Sequence, residues 1–335
     1  MKKYILFLSI FIISIVNAQQ FTIKFATLAP DGTTWMNIMR EYDAAIRKES
    51  GGKLGFKLYA GGVQGDEKDV LRKIRLGQLH STGITGVGIG EIAPKARILD
   101  SPFLFKSYDE VDHIYNKFDQ EFTSSFEEGG YILLGWAEVG FVYVFTNVPI
   151  NKKEDMKNVK MWAWEGDPIA EAAFKSLGLN PIPLSVTDVL TSLQTKLIDG
   201  VYTSPLAALG LQWWTRVKYV FTLPLADAAG AVVISKKMYD QLPKDLQEIL
   251  LRNGKKYMAK LTELSRKDNE KALQTLKNNG IKSTEPASEK LVSEYEEIGK
   301  KARHSLVNKL YSSEFLNRIE QSILDYRNSK IKSSQ

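Results

Sequence analysis

Residues 160–214 read KMWAWEGDPIAEAAFKSLGLNPIPLSVTDVLTSLQTKLIDGVYTSPLAALGLQWW. A short apolar strand over 159–164 runs into Glu165-Gly166-Asp167-Pro168, which has the grammar of a helix start. Asp167 can accept free backbone N–H groups as N-cap, and Pro168 falls at the first helical position, where no donor is needed. The helix turns Ile169, Ala172, Ala173 and Leu177 inward and stops at Gly178. Asn180-Pro181-Ile182-Pro183-Leu184 is extended, because its prolines forbid a helix. Ser185 is expected to cap a second helix, with Asp188 as capping-box partner. Asp199-Gly200 turns the chain, 201–203 form a brief strand, and Ser204-Pro205 opens a third helix expected to contain Trp213 and Trp214. Strands alternating with helices over short connections predict an α/β unit with a parallel sheet, and ligands outside the carboxyl ends of its strands. Those ends carry Trp162, Trp164 and Glu165 in one case, and Tyr202, Thr203 and Ser204 in the other. An aromatic cleft is one reading of them; filling the core is the other.

The same alternation opens the chain. A strand at 21–26 precedes a helix on which Trp35, Ile38, Met39, Tyr42 and Ile46 recur at helical spacing. A strand at 54–59, a helix carrying Val70, Leu71 and Ile74, and a strand at 79–85 follow. Residues 131–147 (YILLGWAEVGFVYVFTN) are almost continuously apolar and long enough to pass through two domains as a shared spine. From 243 to 279 one helical pattern runs on, interrupted at Gly254; about 37 residues extend roughly 55 Å, so this helix is expected to brace both domains. The predicted division is 19–142 with 225–255 in one domain and 143–224 with 280–330 in the other. Gly86-Val87-Gly88-Ile89-Gly90 is no dinucleotide fingerprint, because Glu91 occupies the third glycine's place; it is expected to be a flexible loop at the cleft edge.

Met1-Lys2-Lys3, the apolar run 4–16 and Val16-Asn17-Ala18 have the three parts of a secretory signal, with cleavage expected after Ala18 and a periplasmic mature chain. The run is too short to span a bilayer comfortably. With no cysteine in 335 residues, disulfides and a lipid-anchored thioether are excluded. The net charge of +6 falls once Lys2 and Lys3 leave, and the remaining lysines are scattered, which argues against nucleic acid. His80, His113 and His304 match no metal spacing. No nucleophile elbow and no phosphate-cradling Gly-Lys-Ser/Thr loop is found. No cofactor and no enzymatic activity are therefore expected; a chain of this architecture with an aromatic cleft suggests ligand capture by hinge closure.

With these residues in view, the chain from about 21 to 307 resembles the DctP-type substrate-binding proteins of TRAP transporters. The resemblance rests on residues 155–160 (DMKNVK), Leu193-Gln194-Thr195 with Ile198-Asp199-Gly200, Ser204-Pro205-Leu206-Ala207-Ala208, residues 62–67 (GVQGDE) and residues 100–105 (DSPFLF). It implies the two-domain periplasmic solute-binding fold with shared long strands, a small-molecule ligand enclosed between the domains, and delivery to membrane subunits. Most of that family carries an arginine for the substrate carboxylate where Trp162 stands here, and often a second at Val142; Ser204 replaces a frequent asparagine. Trp162, Trp164, Tyr202 and Trp213, with Val142, Thr203 and Ser204, are accordingly expected to hold a hydrophobic or amphiphilic ligand, since a bare carboxylate beside indole rings loses its charge partner. Arginine-less members it resembles are associated with a tetratricopeptide-repeat partner, which the resemblance adds as a partner here. The competing readings are an organic-acid receptor that uses another basic residue, such as Arg97 or Arg216, a periplasmic enzyme, and a purely structural partner of a repeat protein.

Overall fold

The computed structural model describes residues 20–333; the expected secretory signal and the expected cleavage site lie outside the described residues. Strands β1 (Phe21–Thr27), β2 (Leu54–Tyr59), β3 (Ser81–Ile84) and β4 (Tyr131–Trp136) belong to the first sheet, and β5 (Gly140–Thr146) opens the second. β6 (Trp162–Trp164), β7 (Ile182–Leu184), β8 (Gly200–Thr203), β9 (Tyr219–Ala228), β10 (Ala231–Ser235) and β11 (Lys282–Thr284) follow. The helices in chain order are α1 (Thr34–Glu49), α2 (Glu67–Arg75), α3 (Gly86–Ile92), α4 (Tyr108–Lys117), α5 (Asp119–Glu128) and α6 (Pro168–Leu177). The rest are α7 (Val189–Gln194), α8 (Pro205–Gly210), α9 (Lys236–Tyr239), α10 (Lys244–Asn278), α11 (Glu289–His304) and α12 (Ser313–Ser333).

The first sheet has the order β2-β1-β3-β10-β4, with β1 parallel to β2 and β3, and β10 antiparallel to both its neighbours. Both faces are covered, so β10 is almost wholly apolar, while the central β3 buries Ser81 and Thr82 by donating their hydroxyls to Val233 O (2.6 Å) and Ala26 O (2.9 Å). Ile23, Phe25, Val232 and Ile234 meet α1 and the first half of α10 on one face; Ala26, Ala231 and Val233 point to α2–α5 and α12 on the other. The second sheet runs β11-β9-β5-β8, and the Met161–Gly200 bridge adds the two-stranded β6-β7 at its edge. Phe145, Val201 and Val220 face α7, Trp213 and Leu276 of α10; Val144 and Phe221 face α6 and α11.

Residues 131–147 supply one strand to each sheet and break between them, and residues 219–235 return the same way as β9 and β10. The two connectors lie side by side: the Ala137 N–H donates to Gly230 O at 2.7 Å and the Val139 N–H to Ala228 O at 2.9 Å. Helix α10 packs on α1 and β4 with one part of its length and on α8 and β5 with another.

Several local expectations are corrected. Residues 160–214 are parallel only in part, because β8 pairs antiparallel with β5. Residues 86–92 form helix α3, not a flexible loop: a Cβ at Gly88 would stand 2.7 Å from Ile84 Cγ2 and 2.8 Å from Glu67 Oε2, so the glycine serves close packing. Ser185 caps only a 3-10 turn over Val186–Asp188, and Asp188 makes no side-chain cap bond to α7. Trp213 and Trp214 are separated from α8 by Gln212 in the left-handed conformation (φ 60°) and lie in a 3-10 turn. Helix α12, placed by the sequence with the second domain, packs on α4 and buries Leu316, Ile319 and Ile323 in the first sheet's core.

Candidate functional site

Between the two sheets lies a cavity of about 270 Å³. Its wall contains all seven side chains singled out from the sequence: Val142, Trp162, Trp164, Tyr202, Thr203, Ser204 and Trp213. The parallel β6-β7 pair, held extended by Pro181 and Pro183, carries the two indoles to their positions. Trp162 stacks on Tyr202 (centroids 4.9 Å apart, planes at 23°) and meets Trp213 edge-on at 5.2 Å. Its Nε1–H donates to Leu184 O at 2.9 Å, so the indole nitrogen is satisfied within the protein. With 2% of its surface exposed, Trp162 belongs to the second sheet's core and shows the cavity its remaining edge. The core and cleft readings of this tryptophan therefore both describe it.

The other members divide by the state of their polar atoms. The Trp164 N–H donates to the Tyr202 hydroxyl at 3.1 Å, and burial pushes that phenol far above its ordinary range, so it stays neutral. The Ser204 hydroxyl accepts from Ala207 N at 3.2 Å as the cap of α8, a bond that engages its oxygen and not its own O–H. Val142 and Trp213 contribute buried apolar surface. Phe174, Leu223 and Leu225 extend the same apolar wall.

The sequence reading did not assign the cavity's charged end. Arg97, 1% exposed, stands on its wall. Its Nε donates to Asp100 Oδ2 and its Nη2 to Asp167 Oδ1, both at 2.8 Å. Burial works against the guanidinium charge, but the two carboxylates outweigh it and the group stays protonated. Asp167 also caps α6, accepting from Ile169 N at 3.0 Å, so the residue recognised as a helix start is in addition an ion-pair partner. Burial raises the Asp100 carboxyl to about 6, against the opposing pull of Arg97 and of the bond from Ala229 N at 2.7 Å. Arg97 was named in the sequence as one of two alternative cations; the other, Arg216, is exposed and outside the cavity wall. Within residues 94–100 (PKARILD) nothing local separates Arg97 from Lys95 as the buried cation, and its partner Asp167 lies 70 residues away.

Two further acids border the cavity. Glu67 accepts from Thr85 N (2.7 Å), Thr85 Oγ1 (2.9 Å) and Gly88 N (2.6 Å), yet burial and the neighbouring Asp66 push its carboxyl up to about 8. Asp227 is completely buried. Across the cleft mouth, Asp66 Oδ2 accepts from Trp164 Nε1 (3.1 Å), Ser185 Oγ (2.7 Å) and Val186 N (2.9 Å), joining the turn before α2 to the second lobe. Among the described residues, no group of three or more His, Cys, Asp or Glu side chains is placed to hold a metal ion.

Two α/β lobes joined by paired connectors and enclosing a cavity lined by both define a cleft-type solute-binding protein. The profile described as "Bacterial extracellular solute-binding protein, family 7" matches residues 25–305. The chain belongs to that DctP family, the substrate-binding proteins of TRAP transporters, which are periplasmic receptors working with membrane subunits. The C4-dicarboxylate-binding periplasmic protein DctP of Rhodobacter capsulatus is 24% identical over 270 residues, covering 78% of this chain and 79% of that protein. The 2,3-diketo-L-gulonate-binding periplasmic protein YiaO of Escherichia coli is 24% identical over 247 residues, 72% of this chain and 74% of that one. Among solved structures, the sugar acid binding protein DctPAm of Advenella mimigardefordensis with galactonate superposes with a TM-score of 0.86 at 22% identity, covering 92% of this chain and 99% of that one. A TRAP periplasmic solute-binding protein of Haemophilus influenzae with L-gulonate gives 0.83 at 21% identity, covering 91% and 99%.

Proposed function

We propose that this receptor captures an amphiphilic small molecule with a mainly apolar body, and that the seven wall residues and Arg97 make its binding site. The observation that carries this reading is the charge state of the cavity. The guanidinium on its wall already faces Asp100 and Asp167, while Trp162, Trp213, Phe174, Leu223 and Leu225 offer apolar surface. A sugar acid would shed its hydration shell against that surface and find one pre-neutralised cation, which costs several kcal/mol per unpaired polar or charged group. An apolar body gains about 25 cal/mol per Å² removed from water.

An organic-acid receptor is the second reading, favoured by the unpartnered Nη1 of Arg97 and by relatives described with galactonate and L-gulonate. One panel separates them: calorimetry and thermal shift with decanoate, galactonate and glucuronate, alongside native mass spectrometry of the protein as purified. Decanoate is expected to bind and raise the melting temperature, with the sugar acids inert. Tight binding of a sugar acid with no response to decanoate overturns the apolar reading and leaves the second. An enzymatic role has no observation in its favour.

The proposed division into lobes follows the connectors at 137–139 and 229–230, with closure about them. The proposed secretion route, with removal of residues 1–18, is checked by the mass of the mature protein. A tetratricopeptide-repeat protein of the same compartment is kept as proposed partner, because apolar cargo gains from direct transfer; co-purification from periplasmic extract tests it.

A further inference from the structure

The cavity wall presents more buried polar atoms than the protein satisfies. Arg97 Nη1, both carboxyl oxygens of Asp227, Ser265 Oγ and Tyr295 OH are buried without a hydrogen-bond partner, and all four residues line the cavity. Each such group costs about 1–3 kcal/mol if left alone, and native structures leave few of them without a reason. Asp227 is the strongest case, since it has no exposed surface and two idle oxygens.

Its surroundings say what is missing. Asp227 sits on β9 opposite Phe141 of β5. The charged groups facing it are Glu138, Asp100 and Asp112, with Arg266 as the cation, and the phenols of Tyr108 and Tyr115 are close enough to feel its charge. Arg266 is already committed: it donates to Glu138 through Nε (2.9 Å) and Nη2 (2.6 Å), and to Asp112 through Nη1 (2.9 Å) and Nη2 (2.7 Å). Acids outnumber cations here, which favours a donor as the group that completes Asp227; the Tyr115 hydroxyl is also buried and makes no bond to it, whereas Asp227 lines the cavity, where a ligand's donor can arrive.

We propose that Asp227 accepts a hydrogen bond from a hydroxyl or amino group of the bound ligand, so that the cargo is an apolar molecule bearing a donor group besides the acceptor that meets Arg97 Nη1. This rests on the apolar-cargo reading and refines it. Asp227 thereby becomes a specificity-determining residue, because a site built around a buried polar group discriminates strongly against the analogue that lacks its partner. Burial and the neighbouring acids keep the carboxyl uncharged in the empty cavity, a form that can pair with a hydroxyl in either direction and ionise against an ammonium.

The test is calorimetry on the mature chain with decanoate and a positional series of hydroxydecanoates and aminodecanoates. At least one derivative is expected to bind about tenfold or more tightly than decanoate, and the arm in which it occurs identifies the donor as hydroxyl or amine. Asp227→Leu should abolish that preference, so that the variant binds the favoured derivative no more tightly than it binds decanoate. The ligand-free leucine variant should unfold no more easily than the wild type, since an idle acid has been removed; an acid bonded inside the fold would give a less stable variant. Asp227→Ala supplies the same affinity reading if the leucine variant does not fold. Equal affinities across the series, as when a water satisfies Asp227, or a preference that survives the substitution, overturn this inference alone. Failure of every decanoate while galactonate binds overturns it together with the reading it rests on.

Discussion

Asp227 and Arg97 show how two ionisable residues of similar burial are accommodated by different means. Arg97 is held charged by two carboxylates, one of them 70 residues away in sequence. Asp227 has no such partner, and burial first, then Glu138 and Asp100, raise its carboxyl well above the ordinary 3.8. A native pKa above the unfolded one means that the folded state holds the proton more firmly. The stabilisation is complete below about pH 4 and is lost as pH rises towards the raised value, at up to about 1.4 kcal/mol per pH unit for one group. Glu67, pushed up to about 8, has the same sign. The ligand-free protein should therefore melt at lower temperature at pH 7 than at pH 5, and Asp227→Leu should flatten that slope. Equal slopes in the two proteins would show that Asp227 does not take up a proton on folding. Arg97 was named in the sequence only as an alternative cation, and Asp227 was not singled out. The indoles and Tyr202 stood out because a strand end beside a helix start is a local pattern, whereas the pairing of Arg97 with Asp167 depends on how distant segments meet. Trp162 stands on the cavity wall, but that it is at the same time buried in the second sheet's core and bonded to Leu184 O was not legible.

Caps and breakers were legible at the scale of elements wherever they act within a few residues. Asp167, Pro168 and Gly178 (φ 72°) start and stop α6 where the sequence put them. Among the misjudged elements, two have a glycine that serves a contact rather than a bend, the first being α3. Gly254 is the second instance. It looked like an interruption of the long helix, yet α10 continues through it. A Cβ there would stand 2.5 Å from Leu134 O and 3.1 Å from the Tyr42 hydroxyl, so the glycine lets α10 lie against β4. On propensity alone Gly254→Ala would gain about 1 kcal/mol. The contact with a backbone carbonyl should dominate, giving a net loss of about 1–3 kcal/mol in chemical denaturation. A net gain would mean that α10 can move off β4 without cost.

For the whole molecule, the covalent links between lobes are few: the connectors at 137–139 and 229–230, the length of α10, and the passage from α11 to α12 at 305–312. Non-covalent links between the lobes include Arg97 with Asp167, Asp66 with Trp164, Ser185 and Val186, the bond from Phe103 N to Leu225 O and the Lys106–Glu296 ion pair. Asp66 also caps α2 through Oδ1, which accepts from Glu67 N at 2.6 Å. Asparagine keeps that cap but replaces the charged acceptor that three donors of the opposite lobe share. Hydrogen bonds to a charged group are worth about 1.5–3 kcal/mol net, and these form only when the lobes are together. Asp66→Asn should consequently weaken ligand binding by about tenfold or more while leaving the denaturation free energy of the ligand-free chain within about 0.5 kcal/mol. Calorimetry with whichever acid of the panel binds gives the first number, and small-angle scattering should show a larger radius of gyration for the ligand-bound variant than for the ligand-bound wild type. Unchanged affinity and radius would place the energy of closure elsewhere, in the apolar contacts that the cargo makes with both lobes. The Asp66 bonds would then be a consequence of the lobes meeting and not a reason for it.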